Sequence, residues 1–226
     1  MDIALSALAA VAASALFLEL VLSWRARPRP HVAAWALAMG LYATATWLLV
    51  AGLTLGWTSG TFRMFYGLGA IVNVPFLGVG SAYLVWGERA GRRLLEAFLI
   101  GGAFALFITS TAPFVMELPE EGLPAGSDVF AAIDAVGPAG PRFYALLFNV
   151  LGTALLVGLA TYSALRFWAS NRRMVAANGL IVLGALFPAF GGSLFAIGET
   201  SAFALSLFFG AGLLWAGFRL ARSARR

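Results

Sequence analysis

The sequence contains no cysteine, no lysine and a single histidine, His31. Without cysteine the chain has no disulfide, no thiolate metal site, no iron–sulfur cluster and no thiol nucleophile. Without lysine it has no side chain that forms a Schiff base with a carbonyl compound. One histidine cannot supply bis-histidine haem ligation or a histidine-rich zinc site. The composition therefore predicts a protein with no bound metal and no cofactor.

Charged residues are also scarce. Only 11% of the 226 residues are charged and 61% are hydrophobic, whereas soluble globular domains carry roughly 25% charged residues. Such a chain cannot cover a folded surface with polar groups in water, so we expect the lipid bilayer to be its solvent. The apolar stretches are long, which predicts an all-α, multi-pass membrane protein.

A helix needs about 20 apolar residues to cross the hydrocarbon core of a bilayer. Seven stretches of the chain reach this length, and together they predict a single seven-helix transmembrane domain over residues 1–226. The predicted spans are 3–23, 32–55, 64–86, 94–115, 143–165, 174–197 and 202–218. The first span is expected to be retained rather than cleaved, because an acidic residue, Asp2, precedes it and the basic residues follow it.

The arginines indicate the direction of the spans. Arg63 and Arg142 lie in one set of connections, and the other thirteen lie in the alternate set and the tail. These thirteen are Arg25, Arg27, Arg29, Arg89, Arg92, Arg93, Arg166, Arg172, Arg173, Arg219, Arg222, Arg225 and Arg226. The positive-inside rule then predicts a cytoplasmic carboxyl terminus, an outside amino terminus and location in the cell inner (plasma) membrane. Juxtamembrane arginines of this kind contact anionic lipid, so membrane lipid and not nucleic acid is the expected partner.

The outer loop, 116–141, is the one long connection. Four prolines and five acidic residues predict a solvated segment, and the acidic residues lack the alternating spacing of a calcium loop. Within it, residues 127–136 are predicted to form a short interfacial helix capped by Ser127 or Asp128. Val129, Phe130 and Ile133 would form its apolar face.

The chain also resembles itself at an offset of about 143 residues. Val32-Ala33-Ala34 then matches Val175-Ala176-Ala177, and the run 65–69 matches the run 208–212. Spans two and three thereby correspond to spans six and seven in the same membrane direction. This pattern is typical of a parallel repeat of three helices, one linker helix and three helices, although chance matches between alanine-rich and glycine-rich helices give the same pattern.

This layout resembles that of two known families, the microbial rhodopsins and the SWEET sugar carriers. The chain lacks the retinal-binding lysine of the rhodopsins, and of the SWEET prolines only Pro188 has a comparable place. The stretches Phe62-Arg63-Met64-Phe65-Tyr66 and Asn73-Val74-Pro75-Phe76-Leu77 also resemble uncharacterised seven-helix membrane proteins of high-GC bacteria. That resemblance covers most of the chain and implies no activity.

Polar residues and prolines inside the spans mark a candidate binding site, because both are costly in a bilayer. Thr46, Asn73 and Pro188 each lie nine residues from the outer end of a span, about 13 Å deep at ~1.5 Å per residue. The candidate ligand-binding residues are Thr46, Asn73, Pro75, Thr109, Asn149 and Pro188. The alternative is that these residues, together with glycines in the spans, serve helix packing and kinking alone.

Charged residues near the spans suggest two further features. Arg63, Arg142 and Glu199 lie at the outer ends of spans and are candidates for the mouth of a pocket, the alternative being ion pairs on the outer surface. Glu19 is the acidic residue deepest within a span. It either pairs with a cytoplasmic arginine or takes part in proton coupling.

No catalytic constellation is present, because the sequence lacks a nucleophile paired with histidine, a metal cluster and a phosphate-binding loop. We therefore expect a non-enzymatic protein that binds a small, largely apolar ligand or a partner membrane protein, as a sensor or accessory subunit. Self-association into a homo-oligomer is a further possibility. The alternative is a small carrier with a midplane site between two three-helix halves, which would need a polar path to the cytoplasmic face.

Overall fold

The computed structural model describes residues 2–119, 122–195 and 200–224, and in these ranges long helices dominate. Seven of them are long and apolar enough to cross a membrane, as predicted. They are α1 (Asp2–Ala26), α2 (Pro30–Leu55), α3 (Ser59–Val85), α4 (Glu88–Thr111), α5 (Pro141–Arg166), α6 (Arg172–Phe195) and α7 (Thr200–Ser223). Over the described ranges there is no β-strand, and Phe114 and Phe130 form an isolated bridge.

Prolines determine several helix ends. Pro30 and Pro141 occupy the first positions of α2 and α5, where the missing N–H has no helical partner to lose. Pro113 disfavours helical geometry at the residue before it, and Ala112 has an extended ψ of 133°. For that reason α4 ends at Thr111 rather than at the predicted residue 115, and the long connection covers 112–140.

Helix α3 changes its winding in the middle. It is α-helical over Ser59–Phe65, π-helical over Tyr66–Val72 and α-helical again over Asn73–Val85. The wide turn ends just before Pro75, whose ring would clash with a backbone carbonyl of the preceding turn in an ordinary α-helix. The predicted irregularity at Pro75 is therefore a π-helical segment.

Six of the helices form a closed ring. Each packs on the next in the order α1, α2, α3, α5, α6 and α7, and α7 packs back on α1. Helix α4 lies outside this ring, against α3 and one edge of α5. The connections between the helices lie at the two ends of the bundle. We call the one with residues 27–29, 86–87 and 167–171 the arginine end, and the one with residues 112–140 the loop end.

Glu19 closes the ring between α1 and α7 near the arginine end. Its carboxylate accepts hydrogen bonds from Trp215 Nε1 at 2.6 Å, Arg219 Nε at 3.1 Å and Arg222 Nη1 at 3.0 Å. A carboxylate near a lipid phase is tolerated when paired in this way. Of the two interpretations offered by the sequence, the geometry matches pairing with arginine.

Glycine allows the closest approach between helices. A Cβ atom added at Gly152 of α5 would lie 2.6 Å from the backbone N of Pro75 in α3. At Gly184 of α6 it would lie 2.7 Å from the backbone N of Leu214 in α7. Small residues at such crossings bring helix backbones into contact and increase dispersion attraction in lipid. The α3–α5 and α6–α7 contacts therefore depend on these two glycines.

The long connection folds back over the loop end of the ring. Val129 and Phe130 are fully buried, and the Phe130 ring lies 5.0 Å from that of Tyr66 and 5.8 Å from that of Phe62. Trp57 Nε1 donates to Gly122 O at 2.8 Å, at a turn where Gly122 has a φ of +82°. We call residues 122–130 the lid.

The predicted interfacial helix over 127–136 is wrong in detail. Two single turns form instead, Gly126–Val129 and Ile133–Val136, and neither Ser127 nor Asp128 caps one. Ser127 donates to Asp128 instead, at 3.0 Å. Ile133 does not share the buried face, because burial of Phe130 between helices directs the chain out of the helical path. Tertiary packing thus overrides the local helical pattern.

Substitution of Gly152 tests the packing of α3 against α5. Gly152→Ala is expected to lower the free energy of unfolding by about 1–3 kcal/mol, because the added methyl group meets backbone that cannot move aside. Gly158→Ala is the matched control on the same helix, where an added Cβ meets no atom within 4 Å. It is expected to be neutral or stabilising by up to about 1 kcal/mol. Thermal unfolding in detergent measures both, and equal stabilities would contradict the close crossing.

Candidate functional site

A cavity of about 450 Å³ lies in the ring, between α2, α3, α5, α6 and α7 and below the lid. Four of the six residues predicted to bind a ligand line it, namely Thr46, Asn73, Asn149 and Pro188. From the lid, Leu123 to Ser127 also line the cavity. The sequence predicted a shared level for Thr46, Asn73 and Pro188, and the fold brings these residues and Asn149 to one space.

Two polar side chains of α2 are already hydrogen-bonded. Tyr42 Oη donates to the backbone carbonyl of Leu207 in α7 at 2.8 Å, so it ties α2 to α7 beside the cavity. Thr46 Oγ1 donates to the carbonyl of Tyr42, one turn earlier, also at 2.8 Å. Both hydroxyls keep lone pairs that can accept a hydrogen bond, while their hydrogens are engaged.

Asn149 compensates for the irregular turn of α3. Its Nδ2 donates to Ala70 O at 2.5 Å and to Ala145 O, within α5, at 2.8 Å. In a π-helical turn a carbonyl bonds to the N–H five residues later, and for Ala70 that residue is Pro75, which has no N–H. Asn149 therefore supplies the donor that the helix lacks, and both hydrogens of its amide are engaged.

Asn73 is the exception among the polar groups of the cavity. The residue is only 5% exposed, and its Oδ1 has no hydrogen-bond partner. A buried, unsatisfied amide oxygen costs about 1–3 kcal/mol, and in native proteins such groups are rare. Ser6 Oγ on α1 is likewise buried without a partner, but it does not line the cavity. Asn73 is therefore a cavity residue with a buried side-chain oxygen that the fold leaves unpaired.

Helix α6 forms another wall of the cavity. Pro188 lies inside the helix and so removes the N–H that would bond to Gly184 O. Both residues line the cavity, and a Cβ atom added at Gly210 of α7 would lie 2.8 Å from Pro188 Cγ. The predicted kink residue therefore has two contacts, with the neighbouring helix and with the cavity.

Three predicted site residues lie elsewhere. Pro75 is fully buried against Gly152. Thr109 lies on α4, outside the ring, and donates to Ala105 O at 2.8 Å. Arg63 does not face the cavity mouth, because its Nη1 donates to Thr109 O at 2.6 Å and its guanidinium lies 4.2 Å from the Phe114 ring centroid. Arg63 thereby attaches α4 and the start of the long connection to α3.

Of the other two residues predicted at the pocket mouth, Arg142 lies beside the lid. Arg142 Nη1 donates to the carbonyl of Ser127 at 3.4 Å, and Ser127 lines the cavity. Arg142 is therefore close to the lid side of the cavity, with its guanidinium bonded to backbone. Glu199 lies outside the described residues.

Several residues that line the cavity were not predicted. Tyr42 and Thr153 each lie one helical turn from a predicted residue, Thr46 and Asn149 respectively, on the same helix face. That spacing would have found them. The lid residues Leu123 to Ser127 carry no comparable signal, because their position depends on how the whole connection folds over the bundle.

A shallow groove lies on the outer side of the ring between α5 and α6. Val150, Ala154, Val157 and Leu186 line it together with Asn149 and Thr153. The last two residues also line the central cavity. Asn149 and Thr153 therefore stand between the groove and the cavity.

The lining favours neutral, apolar molecules. None of the described residues that line the cavity carries a charge. In the part of the chain that the structure describes, no three His, Asp or Glu side chains come together as a metal site would need.

The chain matches no protein-family model, no curated protein and no solved structure. The likeness to rhodopsins and SWEET carriers thus concerns layout alone, and the case for a function rests on the cavity.

Substitution of the two buried asparagines distinguishes Asn73 from a structural residue. Asn73→Leu is expected to raise the free energy of unfolding by about 1 kcal/mol, because it removes an unsatisfied buried oxygen. Asn178→Leu is the control. Asn178 donates to Ser163 Oγ at 3.0 Å and Met174 O at 2.9 Å, so its loss is expected to cost about 1 kcal/mol. Thermal unfolding without added ligand measures both, and an equal loss of stability would mean that Asn73 serves the fold.

Proposed function

We propose that this chain is a non-enzymatic membrane protein that binds a small, largely apolar molecule in its central cavity. The observation that carries the proposal is the unpartnered Oδ1 of Asn73, a buried residue that lines the mostly apolar cavity. A fold that only packs helices would be more stable with an apolar side chain there. A ligand that donates a hydrogen bond to Oδ1 would explain why the position carries asparagine.

The size and lining of the cavity support this proposal. A volume of about 450 Å³ falls within the ~300–1,000 Å³ of small-molecule sites, which are mostly apolar with a few polar groups. The apolar lining includes Ala45, Leu77, Ala185 and Leu207, and Asn73 is one of its few polar residues. This combination favours a ligand that dissolves in the bilayer.

The outer groove supports access from the lipid phase. It shares Asn149 and Thr153 with the cavity, and Gly158 beside it leaves open space. A ligand dissolved in the bilayer would enter between α5 and α6, without passing the lid, when the side chains that separate groove and cavity move aside. The buried Val129 and Phe130 hold the lid against the loop end and oppose access from that side.

The arginine distribution supports an orientation. We place the arginine end in the cytoplasm, and the amino terminus and lid outside, in the cell inner (plasma) membrane. The connections at that end, residues 27–29, 86–87 and 167–171, are too short to form a domain. A protein that senses a ligand in this way would act through a partner membrane protein, or through a second copy of itself, as an accessory subunit.

A carrier is the second candidate. The order of helices in the ring is compatible with a parallel repeat, because α1, α2 and α3 follow one another around the ring as α5, α6 and α7 do. Leu77 and Leu214, however, line the cavity deep along α3 and α7, towards the arginine end. Below that level Asn178 is bonded to Ser163. A polar path to the cytoplasm is what a carrier would require, so the binding protein ranks first.

Native mass spectrometry of protein purified from its own membranes in mild detergent tests the proposal. The expected result is one small, noncovalently bound molecule per chain. Ala185→Phe, which fills the cavity, should lose this molecule. Ile100→Phe, on the exposed face of α4, should keep it. Thermal unfolding checks that both variants are folded.

Two outcomes would contradict the proposal. One is the absence of any bound molecule from the wild-type chain in repeated gentle preparations. The other is equal occupancy in folded Ala185→Phe, which would place the bound molecule on the lipid-facing surface. A second protein at fixed stoichiometry, with no small molecule, would favour the partner-binding alternative instead.

A further inference from the structure

We infer that the ligand of the central cavity is a neutral alcohol, with an apolar body and a hydroxyl group that pairs with the Asn73 carboxamide. This inference rests on the proposed function, since it names the class of molecule that the same cavity takes. Three observations carry it: the unsatisfied oxygen of Asn73, the engaged hydrogens around it, and the uncharged lining.

The unsatisfied atom requires a donor. Asn73 Oδ1 only accepts hydrogen bonds, and it receives none within the protein. A hydroxyl group donates to such an oxygen, and its own oxygen remains able to accept a hydrogen bond. An ether or ketone accepts only, and leaves Oδ1 without a donor.

The neighbouring side chains cannot substitute for that donor. Tyr42 and Thr46 donate to backbone carbonyls, and Asn149 Nδ2 donates to two of them. Breaking any of these bonds to satisfy Asn73 would expose a carbonyl in a low-dielectric interior. The other hydroxyl groups of the described lining do not donate to Oδ1 of Asn73 either, so its donor comes with the ligand.

The same lining excludes a charged head group. No described lining residue is charged, so a bound ammonium or carboxylate would be desolvated without a counter-ion. Arg142, near the lid, is bonded to the Ser127 carbonyl. Val74, Leu77 and Leu207 offer an apolar surface to the rest of the molecule. A hydroxyl is the polar group that meets all of these conditions with the least desolvation.

Photolabelling with a matched pair of probes tests the inference. The probes are a diazirine-bearing decanol and its methyl ether, each dissolved in phosphatidylcholine vesicles that contain the full-length protein. Labelled residues are located by peptide mass spectrometry. The alcohol is expected to label the cavity wall on α3 and α6 about tenfold more than the ether, because the ether leaves a buried acceptor unpaired. Both should label the exposed face of α4 equally.

Substitution of Asn73 provides the second arm. Asn73→Leu is expected to abolish the preference for the alcohol, so that both probes label the cavity equally. Ser81→Ala is the control: Ser81 is buried on the same helix, outside the cavity lining, and donates within the helix to Leu77 O. It should keep the preference. Labelling of α4 reports whether each variant is correctly inserted.

The outcomes separate this inference from the proposed function. Equal cavity labelling of the wild type by both probes would overturn the hydroxyl inference and leave a binding cavity in place. A preference for the alcohol that persists in Asn73→Leu would also overturn it, since another group would then be the partner. Absence of cavity labelling by either probe would count against the proposed function itself.

Discussion

The hydrogen bond from Asn149 to the carbonyl of Ala70 is the interaction on which the shape of the bundle depends. The bilayer offers no water to a carbonyl that has lost its helical partner, so a proline in a spanning helix needs a donor from elsewhere. Asn149 supplies it from α5, at the level where Gly152 meets Pro75. The irregular turn of α3 and the α3–α5 crossing are therefore stabilised by the same helix, α5. Together they fix the position of Asn73 in the cavity wall.

Asn73 and Asn149 show how similar residues can have different roles. Both are asparagines at the cavity, and the sequence offered the same two interpretations for each. Asn149 has both amide hydrogens engaged by carbonyls, as expected of a residue that stabilises a kinked helix. Asn73 leaves its oxygen unpaired at the cost of stability. A polar residue that lowers the stability of the fold at one position is typical of a functional site.

The sequence predicted the features that follow from the bilayer itself. Long apolar stretches predict helices because backbone polar groups have no alternative in lipid, and the seven helices confirm this. The common level of Thr46, Asn73 and Pro188 was predicted by counting residues along helices of fixed rise. These predictions need only local geometry and the thickness of the membrane.

The features that depend on tertiary packing could not be predicted in the same way. Thr109 lies on α4, which packs outside the ring, and depth alone does not say which face or which side a helix presents. Arg63 contacts the Thr109 carbonyl and the Phe114 ring and does not line the cavity. Much of the long connection is exposed, as expected of a solvated segment, but Val129 and Phe130 are fully buried. Each of these outcomes depends on contacts between residues distant in sequence.

The most direct test of the central interaction is a double-mutant cycle between Asn149 and Pro75. Unfolding free energies in mixed detergent micelles are measured for the wild type, Asn149→Leu, Pro75→Ala and the double variant. Pro75→Ala restores a backbone N–H for the Ala70 carbonyl, so the cost of losing Asn149 should fall by about 1 kcal/mol in that background. The bond from Asn149 to Ala145 is lost in both backgrounds and cancels. An equal cost in the two backgrounds would contradict the claim that Asn149 replaces the donor that proline removes.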